Sequence, residues 1–102
     1  MTTALRDKAA MDYLFYPRSI AVIGASSDPN KPGGAPMRTL LNNGYTGKVY
    51  PVNPNYTTLA DMPCFPSVLQ IPDEVDLAIV AVPAQPALKA LRECAAKKVR
   101  AA

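Results

Sequence analysis

The sequence predicts an α/β fold in which a parallel sheet is doubly wound, with helices on both faces in three αβα layers. Two short apolar runs carry this prediction: residues 19 to 24, SIAVIG, and residues 76 to 84, DLAIVAVPA. Continuous runs of this length, without the apolar–polar alternation of a half-exposed strand, are typical of parallel strands buried on both faces. A segment with helical periodicity follows each run, as the crossover between parallel strands requires.

The segment after the first run predicts the first crossover helix. Met37, Leu40 and Leu41 fall on one helical face. Asn43 and Gly44 follow, and these residue types commonly end a helix in a left-handed conformation.

Residues 48 to 52, KVYPV, predict the second strand. Pro51 has no N–H group to donate, so this strand must lie at a sheet edge or carry a bulge. Residues 53 to 72 contain four prolines, and beyond a short extended piece near Cys64 and Phe65 they predict a loop-rich connection.

The run at residues 76 to 84 predicts a central strand beside the first strand, with Pro83 ending its hydrogen bonding. A second crossover helix is expected from Gln85. Its buried stripe is expected to consist of Leu88, Leu91 and Ala95. Residues 99 to 102, VRAA, resemble the start of another buried strand, so the sequence predicts a domain that is incomplete at its C-terminal end.

Length and composition limit the classes of function. The chain has 102 residues, enough for one domain, which we place at residues 17–102 after a leader at residues 1–16. The 49% hydrophobic residues predict a packed core, and no apolar stretch is long enough to cross a membrane. Without a secretory signal, we expect a cytoplasmic protein.

The residue types present argue against several kinds of chemistry. Histidine is absent, which removes histidine-based acid–base catalysis, histidine phosphorylation and most zinc sites from this chain. Cys64 and Cys94 lack metal-ligand spacing and are expected to be buried. A net charge of +3 with scattered basic residues gives little support for nucleic-acid binding.

Ligands of such folds bind at the carboxyl ends of the strands, where the connecting loops meet. The first loop, Gly24, Ala25, Ser26 and Ser27, offers a tight turn, hydroxyl groups and backbone donors close to a helix N-terminus, which favours a phosphate. The loop continues through residues 28 to 34, DPNKPGG, so that Gly33 is also expected at the site, just before the helix. Lys31 is close enough in sequence to add a positive charge, with solvent exposure as the alternative.

Two further loops converge at the same edge. Asn53 and Pro54 follow the second strand. Val82, Pro83 and Ala84 form a small, rigid strand end that suits a slender ligand chain, with a simple proline-capped strand end as the alternative.

A nicotinamide dinucleotide is the alternative ligand, since a glycine turn after the first strand also begins the Rossmann fingerprint. Ser26 and Pro29 replace its second and third glycines, and Asn53 stands where an acid would bind a free ribose diol. The neutral Asn53 is compatible with a ribose that carries a phosphate, as in coenzyme A or NADP.

Four blocks of sequence, in order, resemble one known family: LFYPRSIAVIGASSDPNKPGG, GYTGKVYPVNPNY, MPCFPSV and VDLAIVAVPA. They are similar to the coenzyme A-binding, Rossmann-like domain of NDP-forming acyl-CoA synthetases, relatives of the succinyl-CoA synthetase alpha subunit. The resemblance runs from Leu14 to Ala102. Ala60 and Asp61 depart from it, since members commonly have glycine in this turn.

The resemblance implies that the loop from Gly24 to Ser27 holds coenzyme A phosphates. It places Val52, Asn53 and Pro54 at the adenosine end and residues 82 to 84 along the pantetheine arm. The synthetases convert acid, coenzyme A and NTP to acyl-CoA, NDP and phosphate through a phosphohistidine that lies in a later domain.

We therefore expect a binding fragment of an acid–thiol ligase without catalytic residues of its own, which works with further synthetase domains or a partner subunit. The alternatives are a stand-alone coenzyme A-binding regulatory protein, the front domain of a protein lysine acetyltransferase and, least favoured, an NADP-linked reductase.

Overall fold

The computed structural model describes residues 16–28 and 30–102, so all of the expected leader except Tyr16 lies outside the described residues. Five strands and two α-helices make up this part of the chain. In chain order they are β1 (Ser19–Ile23), α1 (Gly34–Asn42), β2 (Lys48–Val52), β3 (Thr58–Leu59), β4 (Met62–Pro63), a 3-10 turn (Val68–Gln70), β5 (Leu77–Val80) and α2 (Ala84–Lys97).

The main sheet is parallel and has the order β2-β1-β5. Ser19 lies opposite Lys48 in the pairing of β1 with β2, and Ile20 lies opposite Leu77 in the pairing with β5. An isolated parallel bridge joins Leu77 to Ala101 on the far side of β5. The predicted parallel α/β fold, the edge position of β2 with its Pro51, and the place of β5 beside β1 are all confirmed.

The sheet is covered on both faces, because successive β1 residues point to opposite layers. Ala21 and Ile23 pack in a core with Ala90 of α2, which we call the α2 core. Ile20 and Val22 pack in the opposite α1 core, which includes Met37 and the β3 residue Leu59. All five β1 residues are buried, which explains the uninterrupted apolar run in the sequence.

Helix α1 ends as the sequence predicts. The N–H of Asn43 donates to the Thr39 carbonyl at 3.0 Å, and Gly44 follows with φ +73°. Met37 is 2% exposed and anchors the helix to the sheet, whereas Leu41 is exposed. The buried face of α1 is therefore narrower than the spacing of Met37, Leu40 and Leu41 predicts.

Helix α2 buries a different stripe from the one predicted, of which only Leu91 is half-buried. Leu88 is 59% exposed and Ala95 is also exposed, while Ala90 and Cys94 are buried at 5% and 4% exposure. The small side chains of Ala90 and Cys94 let the helix lie close to the sheet. The larger Leu88 then lies on the outer side of the helix. No helix among the described residues has the length and apolar character needed to cross a membrane.

The proline-rich connection contains a hairpin that the sequence did not predict. β3 and β4 are antiparallel, with Leu59 opposite Met62, and Ala60 and Asp61 form the two-residue turn between them. Their φ angles are +51° and +62°. A turn with two left-handed residues matches the twist of a hairpin but usually uses Asn or Gly, so Ala60 carries local strain.

Replacing Ala60 with Gly should stabilise the fold by about 0.5–1 kcal/mol, because glycine adopts a positive φ without a Cβ clash. Urea unfolding measures the change. The same substitution at Ala95, exposed in α2, should destabilise the fold by about 0.5–1 kcal/mol. A loss of stability in both variants would contradict the strained turn.

Candidate functional site

The turn after β1 brings three elements close together at Gly24. Its N–H donates to the Val52 carbonyl at 2.8 Å, and its φ is +87°. A Cβ at Gly24 would lie 2.6 Å from the Ala81 carbonyl oxygen, and one at Gly33 would lie 1.7 Å from the Gly24 carbonyl oxygen. Glycine is therefore required at both positions for close backbone approach.

The two serines of the first loop have different environments. Ser26 is buried at 5% exposure, and its Oγ accepts a hydrogen bond from the Asp28 N–H at 3.0 Å. Its own N–H donates to the Gly33 carbonyl at 3.4 Å, which fixes the loop against the start of α1. Ser27 is exposed. Ser26 thus shapes the loop, while Ser27 is open to a ligand.

Asn53 connects the loop after β2 to the loop after β1. Its Nδ2 donates to the Ala25 carbonyl at 2.9 Å, and its Oδ1 accepts from the Asn55 N–H at 2.9 Å. A carboxylate at position 53 has no proton to donate to Ala25 and would place two acceptors together. The amide therefore has a structural reason to stand where dinucleotide-binding proteins carry an acid.

A cavity of about 350 Å³ opens at the carboxyl ends of the strands on the α2 side, and we call it the strand-end cavity. Five predicted site residues line it: Gly24, Val52, Asn53, Pro54 and Val82. The volume falls within the usual range for ligand sites, about 300–1,000 Å³. The structure thus brings all three predicted loops to one cavity.

Ser26 and Ser27 line a second cavity of about 280 Å³ on the α1 side, which we call the α1 cavity. Its other walls include Gly34 at the start of α1, Arg38 and the apolar Leu59. The loop from Gly24 to Ser27 therefore separates two cavities. One is bordered by strand ends and the other by a helix N-terminus, where backbone N–H groups favour an anion.

The remaining predicted site residues are not among the described residues that line either cavity but lie close to them in the chain. Ala25 is fully buried in the α1 core, so it contributes through its backbone. Lys31 is exposed and is not among the residues that line either cavity. Pro83 is the N-cap of α2, and Ala84 is the first residue of that helix.

Sequence reasoning missed three residues at this edge. Lys89 and Glu93, one helical turn apart on α2, line the strand-end cavity. Residues four apart on a helix lie on the same face, so the predicted second helix already indicated that these two side chains lie together. Tyr56 is half-buried with its ring against the α1 core. Hydrogen bonds from the Ser27 and Ser26 side chains lower the pKa of its phenol, with Lys31 adding to the effect.

The cysteines and acids of the described residues are not grouped as a metal centre. Among residues 16–28 and 30–102, no group of three His, Cys, Asp or Glu side chains is placed to hold an ion. Cys64 and Cys94 are free and buried, as expected. Burial raises the pKa of both thiols, that of Cys94 to about 11.

The parallel sheet, its two helical layers and the loops at the strand ends define a Rossmann-like domain with its candidate site at the carboxyl edge. The family described as CoA binding domain matches residues 18–102. The chain therefore belongs to the CoA binding domain family.

Relatives and solved structures carry the same domain within longer proteins. The chain is 52% identical over 89 residues to the ADP-forming acetate–CoA ligase II of Archaeoglobus fulgidus, covering 87% of this chain and 13% of the ligase. It is 44% identical over 95 residues to the alpha subunit of the ADP-forming acetate–CoA ligase I of Pyrococcus furiosus, covering 89% of this chain and 21% of that subunit.

A solved structure of the dinucleotide-forming acetyl-coenzyme A synthetase 1 of Ca. Korarchaeum cryptofilum, in complex with phosphate and ADP, matches with a TM-score of 0.84 at 43% identity. The match covers 87% of this chain and 19% of that one. The chain thus corresponds to the coenzyme A-binding region of NDP-forming acyl-CoA synthetases and spans about an eighth to a fifth of the proteins named here.

Gly24→Ala should destabilise the fold about 1–3 kcal/mol more than Gly44→Ala, as measured by urea unfolding. Both glycines have a positive φ, so each variant suffers the same kind of backbone strain. Only the Cβ at position 24 meets backbone, since nothing lies within 4 Å of one at position 44. Equal losses would contradict the close approach at the turn.

Proposed function

We propose that this chain binds coenzyme A, free or acylated, at the carboxyl ends of β1, β2 and β5. In this role it is the coenzyme A-binding part of an NDP-forming acyl-CoA synthetase. The observation that carries the proposal is the strand-end cavity. It unites Gly24, the loop after β2 and the loop after β5 beside two serines and a helix N-terminus.

The two cavities on either side of the loop from Gly24 to Ser27 are compatible with an elongated ligand that has its phosphates near its middle. The phosphates would lie at the loop from Gly24 to Ser27, where hydroxyl and backbone N–H groups are concentrated. The adenosine end would border Val52, Asn53 and Pro54, and the pantetheine arm would pass Val82. Lys89 supplies a cation to the same cavity.

The chemistry available to the site is binding and orientation. Ser26 and Ser27 have no histidine to activate them, since the chain contains none, so they act as hydrogen-bonding groups rather than nucleophiles. In a synthetase, the phosphohistidine that passes the phosphoryl group would come from outside these residues. Holding coenzyme A in one place and orientation is the contribution of this domain to acyl transfer.

Titration calorimetry of the chain with coenzyme A, NADP and NAD tests the proposal. We expect coenzyme A to bind at least about tenfold more tightly than either dinucleotide, a difference of about 1.4 kcal/mol. A folded chain that binds NADP or NAD as tightly as coenzyme A, or binds none of them, would refute the proposed function.

Ser27→Asp should weaken coenzyme A binding about 10- to 100-fold, because it adds a carboxylate where the phosphates are expected. Ser27→Asn is the matched control, since it has nearly the same size without the charge, and its affinity should stay within about threefold of the parent. Position 27 suits this test better than Ser26, whose side chain is buried. Equal affinities of the Asp and Asn variants would contradict the placement of the phosphates at this loop.

A further inference from the structure

Helix α2 and the loop after β2 line the same strand-end cavity. Lys89 and Glu93 line it from the helix, and Asn53 and Pro54 line it from the loop. Lys89 is exposed, and a lysine carries its charge on a flexible four-carbon stem. In a cavity of about 350 Å³, the ammonium is therefore within reach of a ligand group bound beside the loop after β2.

A third segment adds a polar group to this cavity. The Asn53 N–H donates to the Phe65 carbonyl at 2.9 Å, which holds the chain after β4 alongside β2. Ser67, two residues further on, also lines the cavity. Its Oγ accepts from the Leu69 N–H at 3.2 Å and keeps its own proton for another acceptor. Beside the loop after β2, the cavity thus offers a hydroxyl and a neutral amide.

Lys89 is the only basic residue among the described residues that line the strand-end cavity. Within the described part of the chain, no group forms an ion pair or hydrogen bond with its ammonium. Glu93 is half-buried and lies one turn further along α2, but it does not form an ion pair with Lys89 either. The positive charge is therefore not used within the fold and is open to an anionic ligand group.

Coenzyme A carries anions at two places, the pyrophosphate and the phosphate on its ribose. The pyrophosphate has its expected place at the loop from Gly24 to Ser27, beside a helix N-terminus. In doubly wound folds the ribose lies at the end of the second strand, where a nearby basic residue accommodates a phosphate on it. The residues that line the cavity from the loop after β2 are Asn53, Pro54 and Asn55, which are all neutral. The cation for the ribose phosphate must therefore come from another element.

We propose that Lys89 is the specificity-determining residue for the adenosine end of the ligand, and that its ammonium pairs with the ribose phosphate of coenzyme A. The inference rests on the proposed function. A phosphate monoester carries a charge of about −1.5 to −2 at pH 7, which a neutral amide and a hydroxyl do not balance. Coenzyme A should therefore bind more tightly than dephospho-coenzyme A, which lacks only this phosphate.

Lys89→Gln tests the inference, because it keeps a polar side chain at an exposed position and removes the charge. In titration calorimetry, the affinity for coenzyme A should fall about fivefold or more. The affinity for dephospho-coenzyme A should stay within about twofold of the parent value, since that ligand lacks the group contacted by Lys89. Lys89→Arg keeps the charge and should keep the preference for coenzyme A.

Arg92→Gln is the matched control, since Arg92 is an exposed cation of the same helix and is not among the residues that line either cavity. It removes one positive charge from the protein, as Lys89→Gln does, and its affinity for both ligands should equal that of the parent.

Equal losses for both ligands in Lys89→Gln would overturn the assignment to the ribose phosphate, and so would parent-like affinity for both. A parent chain that binds coenzyme A without preferring it to dephospho-coenzyme A would overturn this inference and leave the proposed function standing. If the parent binds no coenzyme A, the proposed function itself has failed.

Discussion

The structure depends on a close approach of backbones at Gly24. At this point the end of β1 meets the last carbonyl of β2, the carbonyl after β5 and, through Gly33, the entry to α1. No side chain fits between them, so the absence of two Cβ atoms sets the spacing of four segments. The loops that form the candidate site are therefore positioned by main-chain contacts and need little flexibility to receive a ligand.

The polar groups at the two ends of the sheet have different surroundings. At the amino end, Asp76 accepts from the Arg18 backbone N–H at 2.9 Å, and Tyr50 donates to Asp73 at 2.9 Å. Burial and this hydrogen bond to Asp73 raise the pKa of Tyr50 to about 12, so the phenol remains a fixed donor. At the carboxyl end, Ser27 lines the α1 cavity, and Lys89 and Glu93 line the strand-end cavity. Polar groups at the first end are hydrogen-bonded within the fold, and polar residues at the second line the cavities of the candidate site.

The sequence predicted the features that depend on strong local signals. The apolar runs of β1 and β5 predicted the parallel sheet, and Gly24 and Asn53 lie at its carboxyl edge as expected, beside the strand-end cavity. Other features depend on packing that local signals do not encode. Ala90 and Cys94 are small enough to bring α2 close to the sheet, which no count of large apolar residues reveals. The turn at Ala60 lacks the usual Gly or Asn, and the contact of Tyr56 with the serines exists only after the loops have folded.

The reactivity of the two buried cysteine thiols matters because coenzyme A, the ligand proposed for this domain, itself ends in a thiol. A cysteine exchanges disulfides through its thiolate, and burial, which raises the pKa of Cys94 to about 11, favours its protonated thiol. Cys64, also buried and also raised in pKa, is protected in the same way. Both burial and a raised pKa therefore disfavour a mixed disulfide between these cysteines and the thiol of the ligand proposed for this domain.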